Sequence, residues 1–248
     1  MDFSLLHASL LLAGVALLGA LLPLLRSWSD RNLHVLLSLA AGVFLGALFL
    51  ELLPELSASL GEGTESFGRL PWAAALVGML LLFFLEHIWL RTRVADKGGH
   101  LVVWLGTLFG LTTHAFVVGL GLSTLAERPD ALKPLILAIA IHKTAEGFSL
   151  ATVMRLADLP LRRAWAFIGI FSIASPAGLF VGSHLQGIGS HTVSWAPLLE
   201  GLAAGTFLYV AVYNLLPEVF HGREQRGARV TGLLAGLGVF ALTTLWTH

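Results

Sequence analysis

His142 and Glu146 stand four residues apart in the apolar run 132–154, so on a helix they share one face. A second histidine, His114, sits in the middle of the run 101–123. Imidazole nitrogen and carboxylate oxygen together make a ligand set for a divalent transition metal. Charged groups at bilayer depth cost about 2.5–3.5 kcal/mol each on insertion scales, so they need a partner or a task there. The chain has no cysteine, which excludes thiolate metal sites and disulfides. Metal ligands buried in apolar runs, with no soluble domain beside them, point to moving a metal rather than using it. Two plainer readings stay open. His114 can hydrogen-bond a Ser or Thr between helices, and Glu146 can neutralise Lys143 at i,i+3. The second leaves His142 unexplained. No His-Glu-x-x-His occurs, and no Gly-x-Ser-x-Gly surrounds a nucleophile, so an enzyme is not expected.

These residues need elements that hold them in a membrane. Of 248 residues, 56% are hydrophobic and 12% charged, with mean hydropathy +0.82. Soluble domains carry about 25% charged residues, so the expected class is an all-α polytopic membrane protein. The formal net charge of zero argues against nucleic acid as a partner and leaves the lipid bilayer as the surroundings. The first run follows Asp2 and has no Lys or Arg before Arg26; it reads as a retained helix rather than a secretory signal.

Runs long enough to cross a bilayer, about 20 residues each, cover 4–25, 33–53, 71–90, 101–123, 132–154, 164–183, 198–220 and 229–247. Eight transmembrane helices in one domain, 1–248, are therefore expected. The connections after spans 1, 3, 5 and 7 hold eleven basic residues, Arg26, Arg31, Arg91, Arg93, Lys97, Arg155, Arg162, Arg163, Arg223, Arg226 and Arg229. The opposite side holds three, Arg69, Arg128 and Lys133. Basic residues stay on the cytoplasmic side, so both termini are expected outside.

Ala40-Ala-Gly-Val-Phe-Leu-Gly-Ala-Leu-Phe-Leu-Glu-Leu-Leu-Pro-Glu55 aligns without gaps to Ala203-Ala-Gly-Thr-Phe-Leu-Tyr-Val-Ala-Val-Tyr-Asn-Leu-Leu-Pro-Glu218, with nine of sixteen positions identical. The copies lie in spans of opposite direction. Such inverted repeats mark many secondary transporters, whose substrate sits between the halves at the midplane. Spans 1–3 then pair with 6–8 around 4 and 5. His114 lies nine residues before the outer end of span 4, and His142 ten residues after the outer start of span 5. At 1.5 Å per residue the two imidazoles reach the same depth. Glu146 lies one turn deeper.

Other polar residues are less specific. Glu51 and Glu55 close span 2 on the outside, and Asn214, Glu218 and His221 close span 7 on the inside. Glu51, Glu55, Glu218 and His221 either line a pathway or are solvated helix ends. His184 and His191 fall in the outer connection after span 6, and Glu86-His87 reads as structural. Trp28, Trp72, Trp89 and Trp195 lie near span ends, as interfacial anchors do.

With these stretches in hand, the chain resembles the ZIP family, the zinc- and iron-regulated transporter-like proteins, over essentially its whole length. Ala40-Ala-Gly-Val-Phe-Leu-Gly with Leu-Leu-Pro-Glu55 resembles the family's second helix. Ser172-Ile-Ala-Ser-Pro176-Ala-Gly resembles the sixth, and Ala203-Ala-Gly-Thr-Phe-Leu-Tyr209 the seventh. His142 to Gly147 carries the fifth-helix His-x-x-x-Glu-Gly intact. The resemblance implies a divalent-cation transporter that carries zinc, or cadmium, iron or manganese, into the cytoplasm as substrate, with no cofactor. It implies an elevator-like motion of helices 1, 4, 5 and 6 past 2, 3, 7 and 8, often in a homodimer. A multi-pass protein of a bacterial cell membrane is the expected location. His114, His142 and Glu146 match primary-site positions. Two positions depart from the pattern. Val118 stands where the fourth helix normally has Glu or Asp, and Lys143 stands at a position where some members place a second-metal ligand. A fixed ammonium there repels a second cation, so one metal is expected. The alternative is a relative that senses metal or binds a partner without transport.

Overall fold

The computed structural model describes residues 3–58, 69–90, 99–123, 129–186, 196–220 and 225–247. Among them every regular element is helical. Helix α1 runs Phe3–Leu25. Helix α2 runs Asp30–Ala47, unwinds into a π turn at Leu48–Leu52 and continues as Leu53–Ala58. Helix α3 is Leu70–Phe84 with a π segment Leu85–Leu90. Helices α4 (Gly99–Ser123), α5 (Pro129–Leu156) and α6 (Leu161–Gln186) follow. Helix α7 is Ala196–Leu208, passes through a π turn at Tyr209–Leu215 and ends as Leu216–Val219; α8 is Arg226–Thr247.

Local sequence explains several boundaries. The Ser29 hydroxyl accepts from the Asn32 N–H, and Asp30 opens the first turn of α2; both suit the free N–H groups of a helix start. Helix α5 stops in a Schellman pattern, with Asp158 at φ 52°, its N–H on Arg155 O and the Leu159 N–H on Met154 O. Asp is among the few residues that tolerate this left-handed position. The π turns of α2 and α7 precede Pro54 and Pro217. Proline lacks the N–H that an α-helix needs one turn back, and the wider i→i+5 spacing absorbs the loss. Both π turns end at matching positions of the repeat, Leu52 and Leu215.

Seven helices of the described residues are long and apolar enough to cross a membrane by length and composition: α1, α2, α3, α4, α6, α7 and α8. Their outward faces carry large apolar side chains, such as Leu18, Phe49, Leu81 and Leu242, all more than half exposed. An apolar exterior of this extent fits lipid contact. The chain is a polytopic all-α membrane protein.

The helices sort into two bundles. Helix α1 packs on α5, α4 packs on α6, and these pairs meet through α1–α6 and α4–α5. Helix α2 packs on α8 and α3 on α7, with α2 reaching the π turn of α7. The bundles touch each other mainly through α4–α7 and α2–α5. Small residues permit the tightest contacts. A Cβ on Gly19 would strike the Thr144 carbonyl, and one on Gly147 the Ala16 carbonyl. Gly119 and Gly178 do the same between α4 and α6, against Ser175 and Phe116. At the centre, Phe44 and Phe207 stack with centroids 4.6 Å apart and planes 6° apart; the gap-free alignment makes them equivalent positions.

Candidate metal centre

Helices α4 and α5 bring His114, His142 and Glu146 together at the bundle interface. Each is almost fully buried, with 1%, 3% and 0% exposure. One ligand atom from each lies within 4.8 Å of the other two. The His114 Nδ1–H donates to the Ala203 carbonyl at 2.9 Å. That bond fixes the ring's tautomer and leaves Nε2 with its lone pair inward. Nε2 stands 3.5 Å from Glu146 Oε1, beyond a good N–H···O distance of about 2.7–3.2 Å. His114 Nε2, Glu146 Oε1 and His142 Nδ1 all lack a hydrogen-bond partner. Three buried polar atoms left unpaired at one point would be costly for their own sake, and they fit a divalent cation that takes nitrogen and oxygen ligands. Phe207 seats against both imidazoles, 4.6 Å from His114 and 6.0 Å from His142 between centroids, and narrows the site from the side of α7.

Lys143 is buried too, at 2% exposure. Its ammonium bonds Glu146 Oε2 at 2.9 Å and lies 4.2 Å above the Phe171 ring. Sequence spacing alone puts Lys143 off the His142/Glu146 face, merely beside the site. The long side chain instead folds back onto the carboxylate. Neutralising Lys143 and facing the imidazoles are therefore not alternatives for Glu146, because each oxygen does one.

A cavity of about 170 Å³ opens onto the imidazoles, lined by His114, His142, Glu51, Glu55, Glu200 and Val118 among others. Its walls are the C-terminal ends of α2 and α4, the middle of α5 and the early turns of α7. Glu146 does not line it. Glu51 is 9% exposed, and its Oε2 stands 3.8 Å from His142 Nδ1. Glu55 is exposed at the cavity mouth. Val118 faces the cavity, four residues after His114 and on its face.

Two further polar clusters lie elsewhere. Glu218 stands 3.5 Å from His34 Nε2, whose Nδ1–H donates to Asp30 O at 2.7 Å. Beside them Arg229 donates to the Val219 carbonyl at 2.9 Å. Glu86 accepts from the Tyr209 hydroxyl at 2.9 Å, and the Asn214 amide turns its nitrogen to Glu86 at 3.0 Å and its oxygen to Thr107 N–H at 3.3 Å. His87 meets the Tyr213 hydroxyl at 2.6 Å and stacks on Phe83. Glu86 and His87 thus tie α3 to α7. His184 is exposed and donates to Phe180 O of its own helix. His191 and His221 lie outside the described residues. Sequence reading did not anticipate the Ala203 carbonyl as the acceptor that orients His114, nor the contact of Glu51 with His142. The available signal was the repeated Ala-Ala-Gly that begins at Ala203.

Comparison with known proteins places the sequence among named relatives. The family model described as ZIP Zinc transporter matches residues 90–244, which contain α4 to α7, most of α8 and the three clustered residues His114, His142 and Glu146. "Zinc transporter 8" of Oryza sativa subsp. japonica is 27% identical over 148 residues, 55% of this chain and 37% of that protein. "Zinc transporter ZIP2" of Homo sapiens is 28% identical over 270 residues, covering 86% of this chain and 85% of its own length. "Zinc transporter ZIP1" of Mus musculus is 29% identical over 258 residues, with 87% and 78% covered. With the matched region spanning more than half of the sequence and holding the His/His/Glu cluster, the chain belongs to the ZIP zinc transporter family.

Proposed function

We propose that this protein carries a divalent cation, preferentially zinc, across a cell membrane into the cytoplasm through His114, His142 and Glu146. The single observation behind this reading is the convergence of three unpaired buried ligand atoms beneath a cavity. A site reached by a cavity, with ligands on two helices facing each other across it, suits binding and release of an ion. Imidazole ligands with one carboxylate, itself half engaged by Lys143, favour zinc over hard manganese or magnesium. The zinc transporters among the relatives support the same substrate.

Helix α5, 28 residues long, serves as an eighth span, since about 20 residues suffice. The basic residues after spans 1, 3, 5 and 7 favour an outside location for both termini, and the cavity then opens outward. Spans 1–3 and 6–8 form an inverted repeat around α4 and α5. Three features support this: the matching π turns, the Phe44–Phe207 stack, and the pairing of α1–α5 with α6–α4 and of α2–α8 with α7–α3. The bundle of α1, α4, α5 and α6 moves past the other as an elevator, carrying the site with it. Uptake by purified protein in sealed vesicles, with zinc, cadmium, manganese, iron and cobalt compared, tests the reading. Zinc should accumulate and His142→Ala should abolish it. Binding without accumulation would assign the chain to metal sensing instead.

A further inference from the structure

We propose that Glu51 completes the metal site from the cavity side, as a carboxylate ligand lent by the other bundle. It stands in the π turn of α2, nine-tenths buried, and its Oε2 has no hydrogen-bond partner. A carboxylate held that way in an apolar span needs a role. Its separation from His142 Nδ1 is 3.8 Å and that of Glu146 Oε1 from His114 Nε2 is 3.5 Å. Both are too long for hydrogen bonds. Both are close to the spacing of two ligands on one tetrahedral zinc, about 3.4 Å when each is about 2.1 Å from the ion. Glu51 lines the cavity together with His142 and stands outside the close group of three. A cation arriving from the cavity draws the Glu51 carboxylate inward by rotation of its side chain.

Charge points the same way. Glu146 is matched by the Lys143 ammonium, so a dication bound by the three residues keeps its whole charge inside the membrane. Glu51 offsets half of it. Because α2 belongs to the bundle without the other ligands, Glu51 can coordinate only while the bundles hold their present relation. Displacement of one bundle removes an anionic ligand and weakens the grip. The repeat position equivalent to Glu51 is Asn214, a neutral amide turned to Glu86. At the equivalent position of α7, then, an amide stands in place of the carboxylate.

This inference rests on the reading of His114, His142 and Glu146 as the metal site, and equilibrium zinc titration of the purified full-length protein tests the two separately. Glu51→Gln keeps the shape and removes the charge. It should weaken zinc binding by at least about tenfold, as disturbance of a metal site does, with the melting temperature of the metal-free protein unchanged. Val118→Glu in that background places a carboxylate on the same cavity and should recover most of the affinity. Glu51→Asp should fall between. Wild-type affinity in Glu51→Gln, while His142→Ala loses binding, overturns the role of Glu51 and leaves the three-residue site standing. Wild-type affinity in His142→Ala overturns the site itself. Should Glu51→Gln melt early, Glu51→Asp decides: weaker zinc binding by a Glu51→Asp that melts like wild type supports the proposal, and wild-type affinity in it defeats the proposal.

Discussion

The Lys143 ammonium bonds Glu146 through Oε2 at 2.9 Å, which leaves Oε1 to face His114 at 3.5 Å. One carboxylate thus serves a permanent internal cation and a cluster shaped for an external one. The ammonium sets a limit on the site, since it occupies an oxygen that a metal would otherwise take and repels a second dication.

Removing that ammonium should expose both consequences. Breaking a fully buried pair by deleting one partner costs about 3–5 kcal/mol, because the remaining charge is uncompensated. Lys143→Ala should therefore melt earlier than wild type without metal, and zinc should restore it by a larger margin than it stabilises wild type. Zinc stoichiometry should rise above one. Equal zinc-induced shifts in the two proteins would deny Lys143 its place at the metal.

The pH dependence follows from the ligand chemistry. An imidazole must be neutral to bind a metal, so binding competes with protons. As pH falls through the range where an ordinary imidazole titrates, about 6.5, zinc affinity should decline, and binding at neutral pH should release protons to the buffer. Titration calorimetry in buffers of different ionisation enthalpy measures this. An affinity flat from neutral to clearly acid pH contradicts histidine ligation.

Much of this site was legible in the sequence because helical arithmetic is rigid. Four residues place His142 and Glu146 on one face, and equal depth brings His114 to them; their rings lie 6.3 Å apart between centroids. The contribution of α2 was less legible. Glu51 sits in a π turn, where the register departs from the regular helix on which such counting depends. The fold of Lys143 back to Glu146 was hidden for another reason: a four-carbon stem reaches well beyond the face its Cα occupies. The orienting bond from His114 to Ala203 joins residues 89 apart in the chain, and periodicity carries no information about such a pairing.

Packing at the α1–α5 contact gives a prediction independent of metal. Gly147 follows Glu146, and a Cβ there would meet the Ala16 carbonyl. Gly147→Val must push α1 away from α5, at a cost of about 1–3 kcal/mol for overpacking. The melting temperature should fall and zinc binding weaken with it, as Glu146 shifts. A Cβ on Gly14 would meet nothing within 4 Å, so Gly14→Ala is the matched control and should leave both measurements alone. Loss in the control as large as in Gly147→Val would mean that α1 tolerates no change rather than that this contact matters.

Orientation is open to direct labelling. Cysteines introduced in the 91–98 connection and near the C-terminus should react with a membrane-impermeant reagent from opposite sides, the first from the cytoplasm. The chain has no native cysteine, so background labelling is absent. Reaction of both from one side contradicts the arrangement expected from the basic residues.

The last prediction concerns Val118, which lines the cavity four residues after His114. Val118→Glu adds a carboxylate on the His114 face, carried by α4 and hence by the same bundle as the other ligands. In the proposed elevator motion it would, unlike Glu51, stay with the ion. Zinc binding should tighten by about tenfold or more, the scale on which a change to a metal's surroundings acts. A transporter must also let go, and a ligand that travels with the site opposes release. Maximal uptake in vesicles should therefore fall while the concentration for half-maximal uptake falls too. Equilibrium titration and uptake on the same preparation separate these effects. Unchanged affinity would show that a carboxylate at 118 does not reach the metal, and tighter binding with undiminished uptake would show that release does not limit turnover.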